Sequence, residues 1–225
     1  MGREVYSALS GAQTAWRQLE TVSNNLANVS TSGYRAQRVS FATTGTGGLG
    51  NAYAIVSGVG VDETDGALIN DASPSHLALR GPGMFVLGDG SYTRDGSFRV
   101  DGEGQIVTQD GTPVLGDAGP IQVDPKETFT VGLDGTVTGS SSGAVGKLKL
   151  VQLSQPQPLG GNRWSGTAAA TEGTTVIQGA LEGSNVDPMR GMAEMMEATR
   201  FFEAQQKVMQ TSDEMQQRLN RTGGS

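Results

Sequence analysis

An apolar stripe at helical spacing runs along each end of this chain. The glycine-rich stretch between them offers neither stripe an obvious partner. Near the N-terminus Val5, Leu9, Ala12, Trp16, Leu19 and Leu26 follow a three/four spacing, with Ser23 the one polar member. Near the C-terminus Met195, Ala198, Phe202 and Met209 make one row, and Phe201, Ala204, Val208 and Met215 a second. Faces of this kind leave water by pairing with each other, with other copies or with a membrane. Helical ends around a β-rich middle point to an assembly protein whose termini polymerise, not to an enzyme.

The first stripe predicts a helix over 4–28, roughly 37 Å long at 1.5 Å per residue. Asn24, Asn25 and Asn28 cluster at its end, before Ser30-Thr31-Ser32-Gly33-Tyr34. Gly33 suits a left-handed position, which glycine takes without steric cost. The asparagines read either as a frayed helix end or as a specific turn whose amides bond a neighbouring chain. The second helix is expected to begin near Ser184–Pro188, with Asp187 as N-cap and Pro188 at the first helical position. Asn185 is the competing cap. The helix should run to about Leu219, with 222–225 lacking fixed structure.

Between the helices, residues 73–153 carry short apolar runs separated by Asp89-Gly90, Asp95-Gly96, Asp101-Gly102, Asp110-Gly111 and Asp134-Gly135. Such pairs favour tight turns between antiparallel strands. The expected class is therefore α+β: terminal helices pairing as a coiled-coil-like inner domain, and a central, mostly antiparallel β domain. The expected segments are 1–41 (helix and turn), 42–72 (extended connector), 73–153 (β domain), 154–180 (loosely structured return arm) and 181–225 (second helix). Within the connector, Gly45–Gly50 reads as a mobile loop and Val56–Val61 as a short strand.

Charge is uneven: net +2 over 1–44, −7 over 45–180 and −2 over 181–225. An acidic surface disfavours nucleic acid and anionic membranes. No segment approaches the ~20 apolar residues of a membrane span, and no apolar secretory segment follows Met1-Gly2-Arg3-Glu4. With no cysteine and one histidine, His76, thiolate and histidine-rich metal centres are excluded. Gly143–Leu148 fails as a phosphate loop, because Leu148 stands where a hydroxyl must meet magnesium. The Asp-Gly pairs lack calcium-loop spacing. No cofactor is expected.

Ser23-Asn24-Asn25-Leu26-Ala27-Asn28-Val29-Ser30-Thr31-Ser32-Gly33-Tyr34 closely resembles the N-terminal signature of bacterial flagellar rod and hook proteins. Leu181–Asp187, with the helix through Arg200, Phe202, Glu203, Lys207 and Gln210–Thr211, resembles that family's other end. Leu79–Phe85 and Tyr92–Phe98 resemble its central domain. Within the family the likeness leans to the proximal rod protein with a central β domain, with the distal rod protein a close relative. The resemblance implies export through the flagellar type III apparatus and a place in the periplasmic rod of the basal body. It implies that the terminal helices pack with those of other copies and other rod subunits into a hollow drive shaft, while the β domain faces outward. A surrounding bushing ring is a further neighbour it leaves open. Val5, Leu9, Trp16, Leu19, Leu26, Met195, Phe201, Phe202, Val208, Met209 and Met215 are the expected assembly residues. Asn24, Asn25, Asn28, Gly33 and Tyr34 are the expected turn. Two readings from other classes remain: a secreted, self-associating β-domain adhesin, and a carbohydrate-active enzyme using paired carboxylates.

Overall fold

Small residues set the packing of the terminal helices. In the computed structural model, which describes residues 2–45, 53–125, 127–141, 143–171 and 173–222, α1 spans Gly2–Ala27 and α2 spans Pro188–Thr222. The helices run antiparallel: Gly11 approaches Gln205, Trp16 lies against Phe202, and Leu26 reaches Gly191. Ala8, Ala12, Ala15 and Val22 are the buried apolar residues of α1, and Ala198 is their counterpart on α2. Small side chains let helix backbones approach closely. A Cβ added at Gly11 would stand 3.1 Å from the Gln205 side chain.

Asp187 caps α2 as expected. Its Oδ1 accepts the Met189 amide at 2.9 Å and the Arg190 amide at 3.3 Å. Pro188 follows at the first helical position, where its missing donor is not needed.

The same unit holds a hairpin, β1 (Gln37–Thr44) and β2 (Tyr53–Val61), which packs against α1. This corrects the extended connector expected over 42–72. Alternating Val39, Phe41 and Ile55, Val59 support strands, but the bulge at Ser40/Phe41 and the glycines at 58 and 60 blur the period. Of the expected loop, Thr46–Gly50 lies outside the described residues.

The second unit comprises Asn28–Ala36 and Asp62–Val186. Its core is Leu77, Leu79, Phe85, Leu87, Phe98, Ile106, Val114, Ile121, Val123, Phe129, Val137, Leu148 and Val176. Phe85 and Phe98 meet edge to face at 4.9 Å, a favoured ring geometry. Pairing among the described strands is antiparallel. Met84–Val86, Tyr92–Thr93, Leu150–Gly160 and Arg163–Ala170 close into a small barrel. The return arm expected over 154–180 is thus corrected: most of it is strand, and Thr175–Gln178 pairs with Leu77–Arg80. Its Pro and Gly residues sit at the bulges and turn of one long hairpin, where strand pairing tolerates them.

The turns follow the Asp-Gly pairs with two exceptions. Asp101 leads to a turn in which Gly104, not Gly102, takes positive φ. Gly96 is required for close approach, since a Cβ there would fall 1.5 Å from the Leu77 carbonyl oxygen.

Candidate assembly interface

The large apolar residues of the helical unit divide by face. On α2 the row Met195, Ala198, Phe202, Met209 is buried or half-buried, whereas Phe201, Val208 and Met215 are exposed. On α1, Leu19 and Leu26 are half-buried while Leu9 and Trp16 are exposed, Trp16 by 60%. Val5 lies in α1, but its side chain is outside the described ones. On α1 the alanines at 8, 12 and 15 are buried while Leu9 and Trp16 stay exposed, although the Trp16 ring lies 6.1 Å from that of Phe202. Ile55, Val56 and Val59 of β2 are exposed as well. Leu9, Trp16, Ile55, Val56, Phe202 and Met209 line an open groove of about 880 Å³. Gln13, Thr14, Arg17, Glu20 and Gln206 share the lining, so the groove combines apolar and polar surface.

Asn25 and Asn28 of the asparagine turn are engaged within the chain. Asn25 donates from Nδ2 to the Gln37 carbonyl at 2.8 Å and accepts the Gln37 amide at 2.9 Å. It thereby extends the start of β1 as a side-chain mimic of a strand. Asn28 closes its own turn, accepting the Thr31 amide on its carbonyl and the Thr31 hydroxyl on its side chain. Asn24 lines a second, smaller groove with Arg17 and Val39. Tyr34 is buried, and burial raises its phenol pKa.

Gly33 takes φ 65° as expected, and a Cβ would stand 2.5 Å from the Arg94 carbonyl. Gly33→Ala is expected to destabilise the β unit by about 1–3 kcal/mol through this strain and clash. A urea midpoint equal to that of the unsubstituted protein would exclude the effect.

Sequence reasoning missed an ion cluster beside this turn. Arg35, Arg94 and Glu182 are each almost fully buried. Glu182 receives Arg35 on Oε1 at 3.0 Å and Arg94 on Oε2 at 2.5 Å. Asp65 Oδ1 receives both guanidiniums at 3.1 Å. Arg94 also donates to the carbonyls of Leu79, Gly81 and Gly83. Burial lowers the Arg94 pKa, against the opposing pull of Glu182.

At Asp65 burial acts to raise the carboxyl pKa, but the Gly81 amide and the two arginines together outweigh it and lower it. The folded pKa lies below the unfolded one. The stability Asp65 contributes is thus present above the ordinary carboxylate pKa and is lost as pH falls through the folded value. Urea midpoints should drop on acidification below about pH 4. Asp65→Asn should make that drop shallower; an unchanged pH profile would exclude the contribution.

Three family models match the chain in order. Residues 5–35 match "Flagella basal body rod protein", 78–139 match "Flagellar hook protein FlgE/F/G D1 domain", and 177–222 match "Flagellar basal body rod FlgEFG protein C-terminal". Each matched segment supplies one member of the ion cluster: Arg35, Arg94 and Glu182. Three matches in chain order, all to flagellar rod or hook protein models, define the class of the chain. The chain is 34% identical to flagellar basal-body rod protein FlgF of Escherichia coli (strain K12), over 98% of each chain. It is 35% identical to FlgF of Caulobacter vibrioides, over 96% of this chain and 95% of the other. Against flagellar basal-body rod protein FlgG of Bacillus subtilis it is 33% identical, over 97% and 98%. The chain belongs to the flagellar basal-body rod protein family.

Proposed function

We propose that this chain is a structural subunit of the proximal rod, polymerising through its terminal helices into the hollow drive shaft of the basal body. One observation carries the reading: both helices of a rod-family chain leave large apolar side chains uncovered, among them Trp16 on the first and Phe201, Val208 and Met215 on the second. The groove and the exposed row Phe201, Val208 and Met215 are different surfaces of one unit, and docking of one on the other between copies is heterologous. Heterologous contacts that do not close into a ring build an open helical filament. The partners are further copies and other rod subunits, reached after export through the flagellar type III apparatus, with a bushing ring as a further neighbour. The role assigns no catalysis.

The proximal place rests on the two FlgF relatives cited, with FlgG, the distal relative, scoring nearly as high in identity. The test is electron microscopy of basal bodies from a strain lacking this gene, beside one restored with residues 1–225. Absent or short rods rescued by the restored chain are expected, and the point of truncation separates proximal from distal. Complete rods and hooks in the deletion strain would overturn the reading and favour the adhesin.

A further inference from the structure

We propose that two arms of the β unit, Asn28–Ala36 and residues 180–186, form one latch that opens and closes in a single step. The first arm finds few partners within itself. Its Gly33 amide donates to the Glu182 carbonyl at 2.7 Å, and its Ala36 amide donates to Asn185 Oδ1 at 2.7 Å. Its Arg35 guanidinium holds Glu182 Oε1. The second arm answers in kind, with the Asn185 amide donating to the Tyr34 carbonyl.

A third strand of chain, residues 62–67, stitches both. Asn185 Nδ2 donates to the carbonyls of Asp62 and Thr64, at 2.9 and 3.0 Å, and Arg35 donates to those of Glu63 and Thr64. The Gly66 amide donates to Glu182 Oε1 at 3.0 Å, and the Gly183 amide to the Ala67 carbonyl at 2.8 Å. Packing is as tight as bonding: a Cβ on Gly66 would stand 1.9 Å from the Gly183 carbonyl oxygen.

Neither arm can leave alone. Withdrawing the first removes Arg35 from a carboxylate that is 2% exposed, and takes the acceptor of one second-arm amide. Withdrawing the second leaves the Gly33 and Ala36 amides without their acceptors and takes Glu182 from Arg35, which keeps the Glu63 and Thr64 carbonyls and Asp65. Each half-open state holds buried polar groups without partners, which costs more than the lost bonds themselves. The half-open states are therefore skipped, and the arms behave as one cooperative opening unit. In the chain, the first arm follows α1 and the second precedes α2. The inference stands on the β unit alone and holds whether or not the chain is built into a rod.

Native-state hydrogen exchange on the full chain tests it. Arg35→Met should speed exchange not only at Gly33 and Ala36 but also, by at least about tenfold, at Gly183 and Asn185 on the other arm. Leu148 and Val176, whose amides lie in the core, should keep their protection. Asn185→Ala should act in reverse, exposing Gly33 and Ala36, and decides the matter alone where Arg35→Met unfolds the whole unit. Acceleration confined to the substituted arm would overturn the proposal. So would loss of protection at Leu148 and Val176 in both variants, which would make the cluster a support of the whole core.

Discussion

Arg94→Met is expected to be the most damaging single change in the β unit, lowering its stability by about 3–5 kcal/mol and its melting temperature by about 10 °C. Two losses combine. Glu182 keeps only Arg35 and the Gly66 amide around a carboxylate out of reach of water. The carbonyls of Leu79, Gly81 and Gly83 lose their shared donor. A methionine of similar length fills the space but satisfies none of these oxygens, so the usual tolerance of apolar replacements for buried ion pairs does not extend here. Arg94→Lys should recover little, because an ammonium cannot reproduce the planar fork that reaches two carboxylates and three carbonyls at once. Thermal and urea unfolding of both variants measure this. A melting temperature within about 2 °C of the parent's for Arg94→Met would show that the cluster is incidental to stability.

The size of that effect explains why arginine stands where a strand would ordinarily place a residue like Leu79. A buried guanidinium is stable only when every donor is used and its charge is matched. Here two arginines face two carboxylates, and the surplus donors go to backbone carbonyls at the bend between Leu79 and Gly83. The cluster thus does for backbone what an extra strand would do elsewhere: it satisfies carbonyls at a bend that sheet pairing cannot reach. Gly33 is the steric condition of this arrangement, because its backbone lies against that of Arg94 itself.

The helices, the Asp187 cap, the left-handed Gly33 and most of the central strands were legible in the sequence, because each is announced by a local pattern. A period, a cap residue or an Asp-Gly pair acts within a few positions. Of the hairpin Gln37–Val61 only the strand at Val56–Val61 was legible, since the bulge and glycines interrupt the alternation that marks the rest. The hairpin Leu150–Ala170 hid behind Gln155-Pro156-Gln157-Pro158, which reads as loop. The ion cluster was out of reach for a different reason. Arg94 in Tyr-Thr-Arg-Asp-Gly looks like a solvated charge beside a turn, and its partner Glu182 lies 88 residues away. Which residues of the α1 stripe face inward was only partly legible: Ala12 is buried, whereas Leu9 and Trp16 are exposed. The alanines at 8, 12 and 15 share the three/four spacing of the larger residues, so spacing does not tell which row is buried. A close helix pair selects the smaller row, which frees the larger one for contacts that a single chain does not contain.

That division of faces sets up the second large effect, and it separates folding from assembly. Phe201→Asp should leave the folded chain nearly unchanged, within about 0.5 kcal/mol, because the ring is already 47% exposed. Incorporation should nonetheless fail. A carboxylate pressed into an apolar contact between copies costs several kcal/mol, and each 1.4 kcal/mol is tenfold in affinity, so a loss of at least about a hundredfold per contact is expected. Every subunit carries the same defect, and the filament cannot bypass it. Phe202→Asp should do both kinds of harm, because that ring is half-buried and lies 6.1 Å from Trp16; the unassembled protein should lose helix content as well. Ala15→Leu completes the contrast. Ala15 is 1% exposed in the seam, so the larger side chain forces the helices apart by overpacking and costs about 1–3 kcal/mol before any neighbour is met. Circular dichroism of the purified chains and swimming of the complemented deletion strain give the two readouts. Normal motility with Phe201→Asp would remove the exposed row of α2 from the assembly surface and leave the groove at Leu9, Trp16 and Ile55 as the contact between copies.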